Sequence, residues 1–169
     1  MLRLLADKGY PAIRIDDVAV AAGVAKTTIY RRWPSLGALA LDAVEEALGP
    51  RELPDTGDVR ADLGALVRLV HTSMVANPIG WALAAAGLDL MRDPALVVDY
   101  RRRFIDPLRT RGIVLLRRGM AQGLFDPDLD PEVVVDAFSG AFVLRRLLGE
   151  PPPSAAGLTA LADAVLRGA

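Results

Sequence analysis

Gly23 stands between two short stretches whose apolar residues recur at helical spacing, and this juxtaposition constrains the fold more tightly than any other feature of the chain. Upstream, Ile15, Val18, Ala19 and Ala22 follow the i, i+3, i+4, i+7 pattern of one helix face. Asp16 and Asp17 occupy the first turn, where the helix dipole favours negative charge. Downstream, Ala25, Ile29 and Trp33 fall on one side of a second helix, while Thr27 and Arg31 point the opposite way. Lys26 and Tyr30 flank one edge of that outer face, Thr28 and Arg32 the other. A glycine can take the left-handed conformation that closes one helix and swings the chain into the next, so the sequence predicts a helix-turn-helix.

Between Val18 and Leu41 there is no Asp or Glu, yet Lys26, Arg31 and Arg32 lie in that window. Residues 1–50 as a whole are balanced, with six basic side chains (Arg3, Lys8, Arg14, Lys26, Arg31, Arg32) against six acidic ones (Asp7, Asp16, Asp17, Asp42, Glu45, Glu46). A cluster of positive charge on one short helix can orient a module on phosphates but holds a single subunit there only weakly, so two copies are needed. The net charge of −1 argues against broad coating of nucleic acid and leaves docking by one face open. On charge alone the segment also reads as a helical hairpin with a solvated face.

The remainder reads as helices separated by breakers, with almost nothing resembling a strand. After a fourth helix over about Leu36 to Leu48, the run Gly49 to Gly57 is a linker. A helix follows from Asp58 to Ala76, with Val59, Leu63, Leu66, Val67, Val70 and Met74 on one stripe. Asn77-Pro78 and Asp93-Pro94 each pair a capping side chain with a proline, predicting helices that run to Met91 and Ile105. Asp106-Pro107 marks either a fresh start or a kink in a longer helix reaching Gln122. The turn Gly123 to Pro131 opens a helix over Pro131 to Leu148 that is apolar almost all round, and Pro151-Pro152-Pro153 precedes a last helix over Ala155 to Leu166. Apolar surface on two sides of a helix implies burial against its own domain on one and another subunit on the other.

Catalysis finds no support. The single histidine, His71, lies beside Thr72 and Ser73 on an amphipathic helix, and no HExxH pattern, phosphate-cradling glycine loop or cysteine occurs. No cofactor or metal is therefore expected. No run of about 18 apolar residues suggests a membrane span, and Met1 to Ala6 is too short for a signal-peptide apolar region. The lack of cysteine suits a cytoplasmic protein. At 52% hydrophobic residues over 169 positions, the chain can bury a real core.

Gly23-Val24-Ala25-Lys26-Thr27-Thr28-Ile29-Tyr30-Arg31-Arg32-Trp33-Pro34-Ser35 resembles the recognition helix of the TetR family of bacterial transcription regulators. The likeness extends upstream through Leu4-Leu5-Ala6-Asp7-Lys8-Gly9-Tyr10 and Asp16-Asp17-Val18-Ala19. It implies an all-α fold: a three-helix DNA-binding domain which, with the connecting fourth helix, spans residues 1–48, and a larger helical ligand-binding and dimerisation domain at 58–169. It also implies about two further helical turns, often with a basic arm, ahead of Met1. Lys26, Thr27, Thr28 and Arg31 would reach base edges or nearby phosphates in the major groove, and Tyr30 and Arg32 would anchor phosphates. Ile29, Trp33 and Val24 would be core. The chain departs from the family pattern at Ala25, where a capping Ser or Thr is usual, at Leu36, commonly a phosphate-touching Lys, and at Gly37, where an acidic residue is usual.

The resemblance further implies a homodimer reading an operator of two related half-sites in double-stranded DNA, with Val134, Phe138, Ala141, Arg145, Leu158, Leu161 and Val165 as contact candidates. A small molecule, unidentified but hydrophobic by the composition of its surroundings, would bind among the central helices. His71, Met74, Trp81, Leu88, Met91, Tyr100, Phe104 and Leu108 are candidate lining residues, with His71 and Tyr100 as polar handles. Repression relieved by the ligand is the expected mode. The competing expectation is a helical small-molecule-binding or interaction protein without sequence-specific DNA binding.

Overall fold

A computed structural model describes residues 1–52, 55–76 and 87–166, and among these there is no strand. The helices are α1 (Leu2–Lys8), α2 (Ile15–Ala22), α3 (Lys26–Arg32), α4 (Leu36–Leu48), α5 (Val59–His71), α6 (residues 87–91), α7 (Val97–Tyr100), α8 (Asp106–Ala121), α9 (Pro131–Leu147) and α10 (Ala155–Leu166). A 3-10 turn at Tyr10–Ala12 joins α1 to α2, and π-helical turns at Thr72–Ala76 and Arg101–Ile105 follow α5 and α7. The helix start expected at Asn77-Pro78 lies outside the described residues. Asp93 does open a helical turn, since its carbonyl accepts from Leu96 and Val97 N–H groups and its carboxylate from Ala95 N–H. Asp106-Pro107 begins α8 directly after a π-helical turn. Proline offers no N–H to the carbonyl four residues back, and a π turn is one way the backbone absorbs such a break.

Helix-turn-helix geometry follows from Gly23. Its φ of 66° and ψ of 30° put it in the left-handed region. Its N–H then donates to Val20 O at 3.2 Å and that of Val24 to Ala19 O at 3.1 Å, the paired bonds of a Schellman turn. The same turn corrects two expectations. Ala25 is not on the buried face of α3, because it is the extended residue before the helix, and Val24 is 40% exposed rather than core. Ala25 gives α3 no side-chain cap, whereas Ser35 caps α4 by accepting from Ala38 N–H at 3.1 Å.

The chain forms two compact units. The first joins residues 1–50 to the described residues 87–105. Its core unites Leu5, Ile13, Val18, Ala19, Ile29, Leu39, Leu41 and Val44 with Leu90, Leu96, Tyr100 and Phe104. Gly37 shows why. A Cβ at this buried position on α4 would overlap the Leu96 side chain, and Leu36 packs against the same core. Of the two departures from the family pattern in α4, Gly37 therefore makes room for Leu96, and Leu36 adds to the apolar core.

The second unit holds α5, α8, α9 and α10, with Val59, Leu116, Phe125 and Val134 at the centre of one cluster and Leu63, Met120, Phe138 and Ala162 around it. Asp58 caps α5 by accepting from Ala61 N–H, and Asp130 caps α9 by accepting from Glu132 and Val133 N–H. Asp62, 1% exposed, accepts hydrogen bonds from Thr56 N–H and, at 2.8 Å, from its hydroxyl. Just ahead of it, Asp55 pairs with Arg111 and Arg118 on α8, so the last part of the linker is tied down. Those guanidinium groups, Arg118 first, hold the Asp55 carboxyl below its ordinary range.

Two substitutions test this packing. A Cβ at Gly119 would overlap the buried Phe125 ring, and a flat ring cannot yield as a leucine tip can. Gly119→Ala should cost roughly 1–3 kcal/mol in a urea unfolding experiment. Ala25→Ser supplies the missing cap at a residue already in extended conformation, and should raise stability by roughly 0.5–2 kcal/mol in the same experiment.

Candidate nucleic-acid interface

α3 is seven residues long and buries Ile29, at 4% exposed, into the core of the first unit. All six side chains singled out on its outer face, Lys26, Thr27, Thr28, Tyr30, Arg31 and Arg32, are exposed. The surface therefore offers cationic heads, two hydroxyls with methyl groups, and a phenol on one face of one helix. These are the groups that recognise base edges and phosphates in a major groove.

Electrostatics within the unit partly pre-set these side chains. Lys26 forms an ion pair with Asp16 in the first turn of α2, and this hydrogen bond raises the ammonium pKa above its usual value. Asp17 is occupied elsewhere. It accepts from Lys8 Nζ at 2.9 Å and from Arg14 N–H at 2.8 Å, Lys8 being the main cause of its lowered pKa. Arg32, though exposed, stacks its guanidinium over the Trp33 ring at 4.7 Å. Arg31 is exposed on the outer face.

Trp33 ends α3 in extended conformation, half-buried against the core. Its indole N–H donates to Asp42 Oδ2 on α4 at 2.8 Å. Arg103, in the π-helical turn after α7, donates to Asp42 Oδ1 at 2.7 Å and to Glu45 Oε2 at 3.0 Å. Arg103 first and Trp33 second hold the Asp42 carboxyl below the ordinary carboxylate range. Neither Asp42 nor Arg103 was marked by the sequence, since residues 33, 42 and 103 share no periodic relation.

The remaining candidates are distributed over both units. Tyr100 and Phe104 are buried in the first unit with their rings 5.0 Å apart, Met91 packs against the same core, and Leu88 is half-buried. His71, Met74 and Leu108 are half-buried members of the second unit. Trp81 lies outside the described residues. Of the contact candidates, Val134 and Leu158 are 7% and 2% exposed within the chain itself. The cause is the phase of α9: Val134, Phe138 and Phe142 share the face turned to its own unit. Phe138, Ala141, Arg145 and Leu161 are half-buried, Arg145 being paired with Glu150, and the side chain of Val165 lies outside the described part. Among the described residues no group of three or more His, Asp or Glu could hold a metal, and no helix is long and apolar enough to cross a membrane.

Comparison with known proteins agrees with this geometry. Residues 2–43 match the family described as bacterial regulatory proteins, tetR family, and residues 53–165 match the tetracyclin repressor-like, C-terminal domain. The DNA-binding transcriptional repressor TetR of Mycobacteroides abscessus is 32% identical over 157 residues, covering 89% of this chain and 80% of that protein. The HTH-type transcriptional regulator YdeS of Bacillus subtilis is 33% identical over 150 residues, covering 86% and 73%. The crystal structure of the TetR family transcription regulator SCO0332 superposes with a TM-score of 0.65 at 38% identity, covering 99% of this chain and 93% of that one. The chain belongs to the TetR family of bacterial regulatory proteins, which are helix-turn-helix DNA-binding transcriptional regulators.

Proposed function

We propose that this chain is a cytoplasmic transcriptional repressor that binds a palindromic operator as a homodimer and is released by a small hydrophobic molecule taken up in its helical carboxyl-terminal region. The observation that carries the DNA-binding part is the exposed outer face of α3, with Thr27 and Arg31 directed away from the buried Ile29. Repression is supported by the M. abscessus relative named as a repressor. The role is binding and release, without catalysis.

Dimerisation is supported by the outer side of α9. Val133, Ala137, Gly140, Leu144 and Leu147 are all exposed and follow alternating steps of four and three residues, the seam along which one helix packs against another. Val133, Leu144 and Leu147 are each 58–62% exposed, a continuous apolar strip that water covers poorly. A partner helix laid on this seam doubles the cations presented to DNA, which answers the weak footprint of one copy.

Selection of a randomised duplex pool on the full chain tests the reading. It should return sequences with two-fold symmetry whose binding weakens as salt rises. Dimeric protein with no sequence preference would instead support the non-DNA-binding alternative. Arg31→Ala should weaken binding to the selected duplex by about 1–3 kcal/mol if Arg31 reads a base, and an unchanged preference refutes that role. Leu144→Glu should leave monomers in sedimentation velocity runs. A variant that stays dimeric removes α9 from the interface.

A further inference from the structure

α3 cannot hold its own attitude. It has seven residues and no side-chain cap, and helices so short are unstable alone; the buried Ile29 sets its phase, and the contacts at its ends bear on its tilt. At the carboxyl end that contact is the Trp33 indole N–H donated to Asp42 Oδ2 at 2.8 Å. Asp42 in turn uses its other oxygen for Arg103.

The charges around Asp42 explain why Arg103 is needed. Asp42 and Glu45 lie three residues apart on α4, where like charges repel, and a single Arg103 nitrogen, Nη1, bonds to both carboxylates. The Arg103 side chain is 26% exposed, so this pairing is only partly screened by solvent. Without it, the Asp42 carboxylate would face the Glu45 charge with the indole N–H as its remaining hydrogen-bond donor among the described residues. Because both bonds come from one nitrogen, a lysine ammonium could make them as well.

We propose that Asp42 is a positioning residue for sequence recognition: it sets the angle of the reading helix α3 through Trp33, and Arg103 keeps its carboxylate aimed at the indole. The proposal rests on the DNA-binding reading above. It predicts a division of labour. Phosphate attraction depends on charge and tolerates a tilted helix, whereas base reading needs the side chains of α3 held closely in place.

The test measures binding of the full chain to two duplexes, one recovered by selection from a randomised pool and one with the same bases scrambled. Trp33→Phe, which changes no charge, and Asp42→Ala, which removes the acceptor, should each lower affinity for the selected duplex by about tenfold or more. Trp33→Phe should leave the scrambled duplex bound within about twofold, since the count of phosphate-facing cations is unaltered. The double variant should be no weaker than the weaker single variant, because both remove one contact. Arg103→Gln should lose selected binding and Arg103→Lys should restore it.

Thermal unfolding and helical circular dichroism identify any variant that has lost its fold, in which case the remaining folded variants decide. The proposal is overturned if folded Trp33→Phe binds the selected duplex like the parent chain, if its loss is equal on both duplexes, or if Arg103→Lys fails as Arg103→Gln does. Recovery of no preferred duplex from the pool sinks the DNA-binding reading itself and this proposal with it. Normal selection followed by unaffected variants sinks the proposal alone.

Discussion

The left-handed turn at Gly23 is the constraint from which the rest of the amino-terminal unit follows. It stops α2 after eight residues and satisfies the amides of Gly23 and Val24 on carbonyls of the helix just finished. It then starts α3 in the phase that buries Ile29 and leaves Thr27 and Arg31 outside. A residue with a Cβ at that backbone angle is strained, so glycine here is a requirement of geometry. Which face of α3 looks outward is thus set by one backbone conformation and one buried isoleucine.

That economy has a counterpart in the second unit. Thr56, at the end of the linker, delivers both its N–H and its hydroxyl to the buried Asp62 carboxylate, while Asp55 meets two arginines of α8. A carboxylate so deeply placed would be costly without partners, and the hydrogen bonds from Thr56 supply them. The linker's breakers therefore end in a docked segment on α5 and α8.

How much of this was legible in the sequence depends on whether the signal is local. Caps and turns are local, and Gly23, Ser35, Asp58 and Asp130 fixed helix ends close to where they occur. Phase within a helix is local too, which is why the outer face of α3 could be read. Val24 and Ala25 escaped because the left-handed turn takes them out of helical register. Pairings across long separations left no trace: nothing in the order of residues connects Trp33 to Asp42 or Asp42 to Arg103. α9 was open for another reason. When a helix is apolar on every side, periodicity cannot say which side faces home, and the burial of Val134 beside the exposed Val133 was not legible. Leu96 and Phe104 were readable as apolar, but not as belonging to the amino-terminal core.

The space left by Gly37 ties two distant stretches of chain into one mechanical piece. Leu96 fills the gap where a side chain of α4 would otherwise stand, and the carbonyl of Asp93 closes the turn that carries it. Gly37 is two residues beyond the cap of α4 and four beyond the tryptophan that ends α3. Leu96 thus packs on α4 within about one helical turn of the residue that ends α3.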